Sequence, residues 1–146
     1  MSSSTVHEIL KVKGNAVWSV RPGDMVSDTL KLMAEKNIGT VIVLDGEKIA
    51  GIFSERDFSR HCAKGNVRPE QIPVKDMMTT RILFVSPTQT TEECMSLMTN
   101  KHIRHLPVIE NDKLIGLISI GDVVKKIIED QKFSITQLEH YVTGAG

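Results

Sequence analysis

Two short segments carry side chains that could do chemistry together. Gly51-Ile52-Phe53-Ser54-Glu55-Arg56-Asp57 is echoed 65 positions later by Gly116-Leu117-Ile118-Ser119-Ile120-Gly121-Asp122. Both read as glycine, two apolar residues, serine, two spacers and aspartate, with a β-type run before and a helical pattern after. A carboxylate at a helix N-terminus can accept two hydrogen bonds from a vicinal diol such as that of ribose, each worth about 1.5–3 kcal/mol for a charged acceptor. The same helix end favours a nearby phosphate, and the glycine permits close backbone approach. Ser-x-x-Asp is equally the spacing of a capping box, with Ser54 and Ser119 as N-caps. The two readings are compatible: the serine can cap while the aspartate faces outward.

A second constellation is Arg104-His105, just before the apolar run from Leu106 to Ile109. It is either a solvated loop pair or a phosphate contact through the arginine fork. The first half has Gly39-Thr40 at these places, so one half offers charge where the other offers space. Arg56 and Arg60 flank Asp57 and read as solvated helix charge or as phosphate contacts. His61-Cys62 and His102-x-x-His105 supply no set of three or four metal ligands. No nucleophile–base pair, Gly-x-Ser-x-Gly elbow or Gly-rich phosphate loop is present. Met33, Met95 and Met98, at helical spacing, read as core, and Cys94 as a small core or boundary residue.

The elements that must position these residues form a repeat. An offset of 65 aligns residues 17–57 with 82–122 without a gap, and eleven of those 41 pairs are identical, from Val20/Val85 and Pro22/Pro87 to Ser54/Ser119 and Asp57/Asp122. The matches fall on turn, core and motif positions. Each unit reads β-α-β-β-α. In the first, a strand from Val17 to Val20 precedes a helix from Ser27 to Asn37, capped by Ser27 or Asp28. A buried strand from Thr40 to Leu44, an Asp45-Gly46 hairpin turn and a strand from Ile49 to Phe53 follow, then a helix from Ser54 to about Lys64. The second repeats this with Ile82–Val85, Thr91–Lys101, Leu106–Ile109, a turn at Asn111-Asp112, Leu114–Ile118 and a helix from Ser119 to about Asp130. Thr5-Val6-His7-Glu8 has capping-box spacing and starts a short helix through Leu10, which Val74 to Met78 resembles. The residues before it read as frayed. Ser134 to Gln137 has the same spacing, and Ile135, Leu138 and Val142 share one face of an expected separate C-terminal helix. The implied segments are a first repeat at 6–66, a linker at 67–73, a second repeat at 74–130 and a helical tail at 131–146.

Composition excludes several classes. Eighteen basic and 18 acidic residues give zero formal net charge, against the clustered basic excess that nucleic-acid or membrane binding needs. The two cysteines suggest no disulfide framework and fit a reducing compartment. No apolar run approaches the roughly 20 residues of a membrane span, and the first residues lack the features of a signal or transit peptide. The expectation is a cytoplasmic protein.

The repeat, the proline leading into each first helix, the Arg104-His105-Leu106-Pro107-Val108 strand start and the Gly-h-h-Ser-x-x-Asp motif together resemble a CBS domain pair, or Bateman module, over residues 6 to 130. The Ser-Glu-Arg-Asp motif and the tail at Gln137-Leu138-Glu139-His140-Tyr141 resemble the short, stand-alone proteins of that family. The resemblance implies a mixed α/β (α+β) fold of two pseudo-symmetric β-α-β-β-α repeats packed through their sheets, with short N- and C-terminal helices. It implies a non-catalytic energy- or redox-sensing module, with an adenosine nucleotide in two clefts: AMP or NAD(H) first, with ATP, ADP or S-adenosylmethionine as alternatives, and no metal. Asp57 and Asp122 would hold ribose, and Ser54 and Ser119 would line ribose or phosphate. The Asp57 cleft would add Arg56, Thr79, Ile82 and Leu83, with Arg104 and His105 near phosphate. The Asp122 cleft would add Val17, Trp18, Gly39 and Thr40. A homodimer is implied, with an unknown regulated protein acting in trans. The alternative is a structural dimerisation module with empty clefts.

Overall fold

A computed structural model of the chain describes residues 4–143, the last three by backbone alone. The frayed first residues and the place of Val142 on the tail's apolar face lie outside the described residues and side chains. The elements run α1 (Val6–Lys13), β1 (Ser19–Val20), α2 (Val26–Lys36), β2 (Thr40–Asp45), β3 (Lys48–Ser54), α3 (Glu55–Cys62), a 3-10 turn (Val74–Asp76), α4 (Thr91–Lys101), β4 (His105–Glu110), β5 (Lys113–Ser119) and α5 (Ile120–Thr143). The fold is mixed α/β, as expected, and is organised as two compact units. One, here the Asp57 unit, comprises Ala16–Leu83 with Asn111–Leu114; the other, the Asp122 unit, comprises Met1–Asn15, Phe84–Glu110 and Ile115–Gly146.

These units do not coincide with the sequence repeats, because the short helices are exchanged. In the Asp122 unit, Val6, Ile9 and Leu10 of α1 pack with Val85, Cys94, Met98, Leu106, Val108, Ile118 and Val123. In the Asp57 unit, Val74 and Met77 pack with Val26, Met33, Val41, Val43 and Phe53. Each swapped segment satisfies backbone groups as well as burying apolar surface. Val6 N–H donates to Gln89 O (2.9 Å) and His7 N–H to Pro87 O (2.9 Å). The expected Thr5 cap is therefore unnecessary, and Thr5 makes no side-chain cap; it pairs instead with Thr90 across an antiparallel bridge. Likewise α2 starts after Met25 without a side-chain cap, so neither Ser27 nor Asp28 caps it. Val26 N–H donates to Ile72 O and Ser27 N–H to Pro69 O, at 2.8 and 2.9 Å, so the linker caps the helix with its carbonyls.

In the Asp57 unit β1 runs parallel to β2, and β2 antiparallel to β3, in the order β1-β2-β3. Asn37, the expected end of α2, is in the left-handed region (φ 53°), where asparagine is tolerated. Gly46 turns the β2–β3 hairpin at φ 66°. The matching turn at Asn111 and Asp112 has both residues at positive φ, 53° and 62°, the geometry of a tight hairpin turn.

Two further expectations fail for physical reasons. The expected strand from Ile82 to Val85 does not form; pairing shrinks to a parallel bridge between Val85 and Val108. Ile42 of β2 donates its N–H to Trp18 O (3.3 Å), but the residue at the matching place is Pro107, which has no N–H to give. The tail is not a separate helix: α5 runs unbroken from Ile120 through Ser134 to Thr143. After Gly121 in its first turn the helix contains no glycine or proline, and Thr136 returns its hydroxyl to Lys132 O (2.9 Å) inside it.

Candidate functional site: the Ser-x-x-Asp turns

Strand β3 delivers Ser54 to the start of α3, and the capping box is formed in full. Asp57 N–H donates to Ser54 Oγ (3.2 Å), while Oδ2 of Asp57 accepts from Ser54 N–H (2.9 Å) and Ser54 Oγ (3.0 Å). The aspartate thus turns back on its own cap rather than simply outward. Its other oxygen, Oδ1, accepts from the Thr79 hydroxyl at 3.0 Å. Thr79 is held there by two backbone hydrogen bonds with Ile52, at 2.9 and 2.8 Å. This close approach requires Gly51, since a Cβ there would stand 2.6 Å from Met78 Sδ and 2.8 Å from Thr79 O. Glu55 N–H donates to Gly39 O at 3.0 Å, which ties α3 to the start of β2.

The Asp122 turn has the same frame and a different occupant. Asp122 N–H donates to Ser119 Oγ (3.1 Å), Ser119 N–H donates to Asp122 Oδ2 (2.8 Å), and Ile120 N–H donates to Arg104 O (2.8 Å). Where Asp57 meets a hydroxyl, Asp122 Oδ2 meets the ammonium of Lys13 at 2.6 Å. Lys13 Nζ also donates to Leu117 O at 2.7 Å. Leu117 matches Ile52 in the repeat, so on that carbonyl the ammonium takes the place of the Thr79 N–H, but on the carboxylate it meets Oδ2, which also accepts Ser119 N–H, rather than the Oδ1 that Thr79 holds at Asp57. Burial alone would raise the Asp122 carboxyl; the hydrogen bonds from Lys13 and Ser119 and the Lys13 charge hold it below its ordinary value. His105 is pushed below its usual value by burial and by the Lys13 charge, with Asp122 opposing.

The structure thus holds Thr79 against Asp57 and places Ser54, Arg56, Ile82, Leu83, Val17, Trp18, Gly39 and Thr40 in that unit. Arg56 is exposed and Thr40 buried. Trp18 is exposed, with Lys36 Nζ 4.4 Å from its ring centroid, a cation–π contact. Arg104 and His105 share a unit with Ser119 and Asp122. Lys13 was missed. It lies 109 positions from Asp122, and no local pattern marks it. No group of metal-ligating side chains occurs among the described residues. An open depression of about 530 Å³ lies at the β1–β2 edge of the Asp57 unit, lined by Arg21, Asp24 and Asp45 among others, and contains none of the expected site residues.

Residues 5–64 and 74–129 match the family model of the CBS domain. The CBS domain-containing protein CBSX3, mitochondrial, of Arabidopsis thaliana is 32% identical over 152 residues, covering 97% of this chain and 73% of that protein. The solved structure of a putative signal-transduction protein with CBS domains from Burkholderia ambifaria is 47% identical, with TM-score 0.83, covering 88% of this chain and 96% of the other. The CBS-domain protein ATU1752 of Agrobacterium tumefaciens is 36% identical, with TM-score 0.81 and coverage of 84% and 98%. Two family matches spanning most of the sequence, each ending in its own Ser-x-x-Asp helix, establish that this chain belongs to the CBS domain family.

Proposed function

We propose that the chain is a non-catalytic regulatory module that binds an adenosine nucleotide at its Ser-x-x-Asp turns, AMP before NAD(H), ATP, ADP or S-adenosylmethionine. The observation that carries this reading is the state of Asp57. Its Oδ2 is fixed by the helix cap, while its Oδ1 is held by one exposed hydroxyl, that of Thr79. A ribose hydroxyl can replace or join that hydroxyl without leaving a charge uncompensated. Family support comes from CBSX2, solved in complex with AMP, which is 27% identical with TM-score 0.71. Ser54, Thr79, Ile82 and Leu83 then surround ribose and base, and Arg56 reaches the phosphate. The output acts on a partner in trans, in a cytoplasmic homodimer, through differential affinity of the ligand for two states.

Calorimetry with AMP, ADP, ATP, NAD and S-adenosylmethionine tests the reading. Asp57→Ala is expected to abolish the tighter site. Absence of heat and of thermal shift with every one of these ligands at millimolar concentration removes it. A second reading, a structural dimerisation module, is favoured by the exposure of Ile128, Ile135 and Leu138, at 45%, 56% and 64%, which share one face of α5 by helical spacing. Those residues form an apolar surface suited to another protein. Concentration-dependent self-association without any nucleotide effect would select it.

A further inference from the structure

The two motif aspartates differ in what a vicinal diol that uses both carboxylate oxygens must displace. At Asp57 the displaced group is neutral, the Thr79 hydroxyl at 3.0 Å. At Asp122 it is a cation, the Lys13 ammonium at 2.6 Å, itself anchored on Leu117 O at 2.7 Å. Lys13 and Asp122 are only partly exposed, at 37% and 26% of their side-chain surface, so water screens the pair incompletely. A diol that spans both oxygens of Asp122 takes Oδ2 from Lys13 and leaves that ammonium without its carboxylate, beside a half-buried His105 that already responds to its charge. A neutral nucleoside offers nothing in return, and a sulfonium nucleoside adds a further cation. A nucleoside phosphate supplies an anion to the displaced ammonium, which its four-carbon stem can follow.

From this, and resting on the nucleotide reading above, we propose that Lys13 is a specificity-determining residue that makes the Asp122 turn accept phosphorylated nucleosides and reject neutral or cationic ones. Asp57 carries no cation on its carboxylate, so a neutral nucleoside displaces no charge there and only Arg56 favours phosphate. Lys13 remains at the site in both states, first as the aspartate's counterion and then as the phosphate's.

The test is calorimetry of full-length protein carrying Asp57→Ala, titrated with AMP and with adenosine. AMP is expected to bind at least about tenfold tighter than adenosine, the scale of one charge-assisted hydrogen bond. Adding Lys13→Met should shrink that preference by about tenfold, chiefly because adenosine now binds better, whereas Lys13→Arg should keep it. Lys13→Gln retains a donor toward Leu117 without the charge and gives the same answer if the methionine variant fails to melt cooperatively. An unchanged preference in the uncharged variants overturns the role of Lys13 while leaving nucleotide binding intact. Binding to wild type that vanishes entirely in Asp57→Ala overturns it too, since the Asp122 turn then takes no nucleotide. If wild type binds neither compound, the nucleotide reading falls and this inference falls with it.

Discussion

A Cβ on Gly51 would stand 2.8 Å from the carbonyl oxygen of Thr79, a distance that real side-chain carbons essentially never show. The contact is with backbone, and that backbone is fixed by its paired hydrogen bonds to Ile52. The matching Gly116 is crowded at 2.7 Å by Leu10 Cδ2, the end of a rotatable side chain. Gly51→Ala should therefore cost about 1–3 kcal/mol, the range for overpacking, and Gly116→Ala distinctly less. Urea unfolding of both variants checks this; equal costs would mean that the segment at Thr79 gives way as easily as Leu10 does.

Ser54 supplies both the cap of α3 and a partner for Asp57. Ser54→Ala should lower stability by about 0.5–2 kcal/mol, in line with other lost N-caps. Ser54→Asp keeps an acceptor for the Asp57 N–H but sets a second carboxylate beside Asp57, so it should restore little. Thermal melts at neutral pH read both effects.

The Asp122 unit should show two separate acid-sensitive contributions. His105 titrates below its ordinary 6.5 in the fold, so the unfolded chain takes up a proton first and stability falls as pH drops through about 6.5. His105→Gln should flatten this part of the stability curve. Asp122 titrates below its ordinary 3.8, so its contribution is present above that value and is lost as pH falls through the lower folded value. Wild type and Asp122→Asn should therefore differ at pH 6 and converge in strong acid. Denaturation midpoints across pH 2–8 test both.

The two thiols should react differently. Cys62 is exposed, whereas Cys94 is fully buried and its thiol is pushed up to about 11 by burial and by Glu93. A thiol reagent at pH 8 should modify one cysteine quickly in the native protein and both in denaturant. Cys62→Ser should remove the fast phase; a fast phase that persists would mean that the Asp122 unit opens readily around α4.

Local chemistry made much of the fold readable. Asn37 and the Asn111-Asp112 pair announce left-handed turns, and the Gly-x-x-Ser-x-x-Asp spacing announces a strand that turns into a helix. The repeat then identified which of many possible caps were worth following. Other features depended on groups far apart in the chain. Thr5 looks like a helix cap, but the chain at Pro87 and Gln89 already satisfies those N–H groups. Ser134 looks like a helix start, yet a good cap cannot end a helix that nothing interrupts. Pro107 stops the pairing at Val85 from extending further by lacking one hydrogen atom, which apolar patterning does not register. Lys13 shows the same limit most sharply: its meaning comes from a carboxylate 109 residues away.

The exchange of α1 into the Asp122 unit also bears on how the chain assembles as it is made. Helix α1 emerges from the ribosome early, while Leu117 and Asp122, which engage Lys13, follow more than 100 residues later. At synthesis rates of about 5–20 residues per second, α1 waits roughly 5–20 s for these partners. During that interval Val6, Ile9 and Leu10 have no core to enter. The Asp57 unit can close most of its core once Met77 and Thr79 are out, and so gains a head start on the tunnel. The unit completed first is therefore not the one that holds α1.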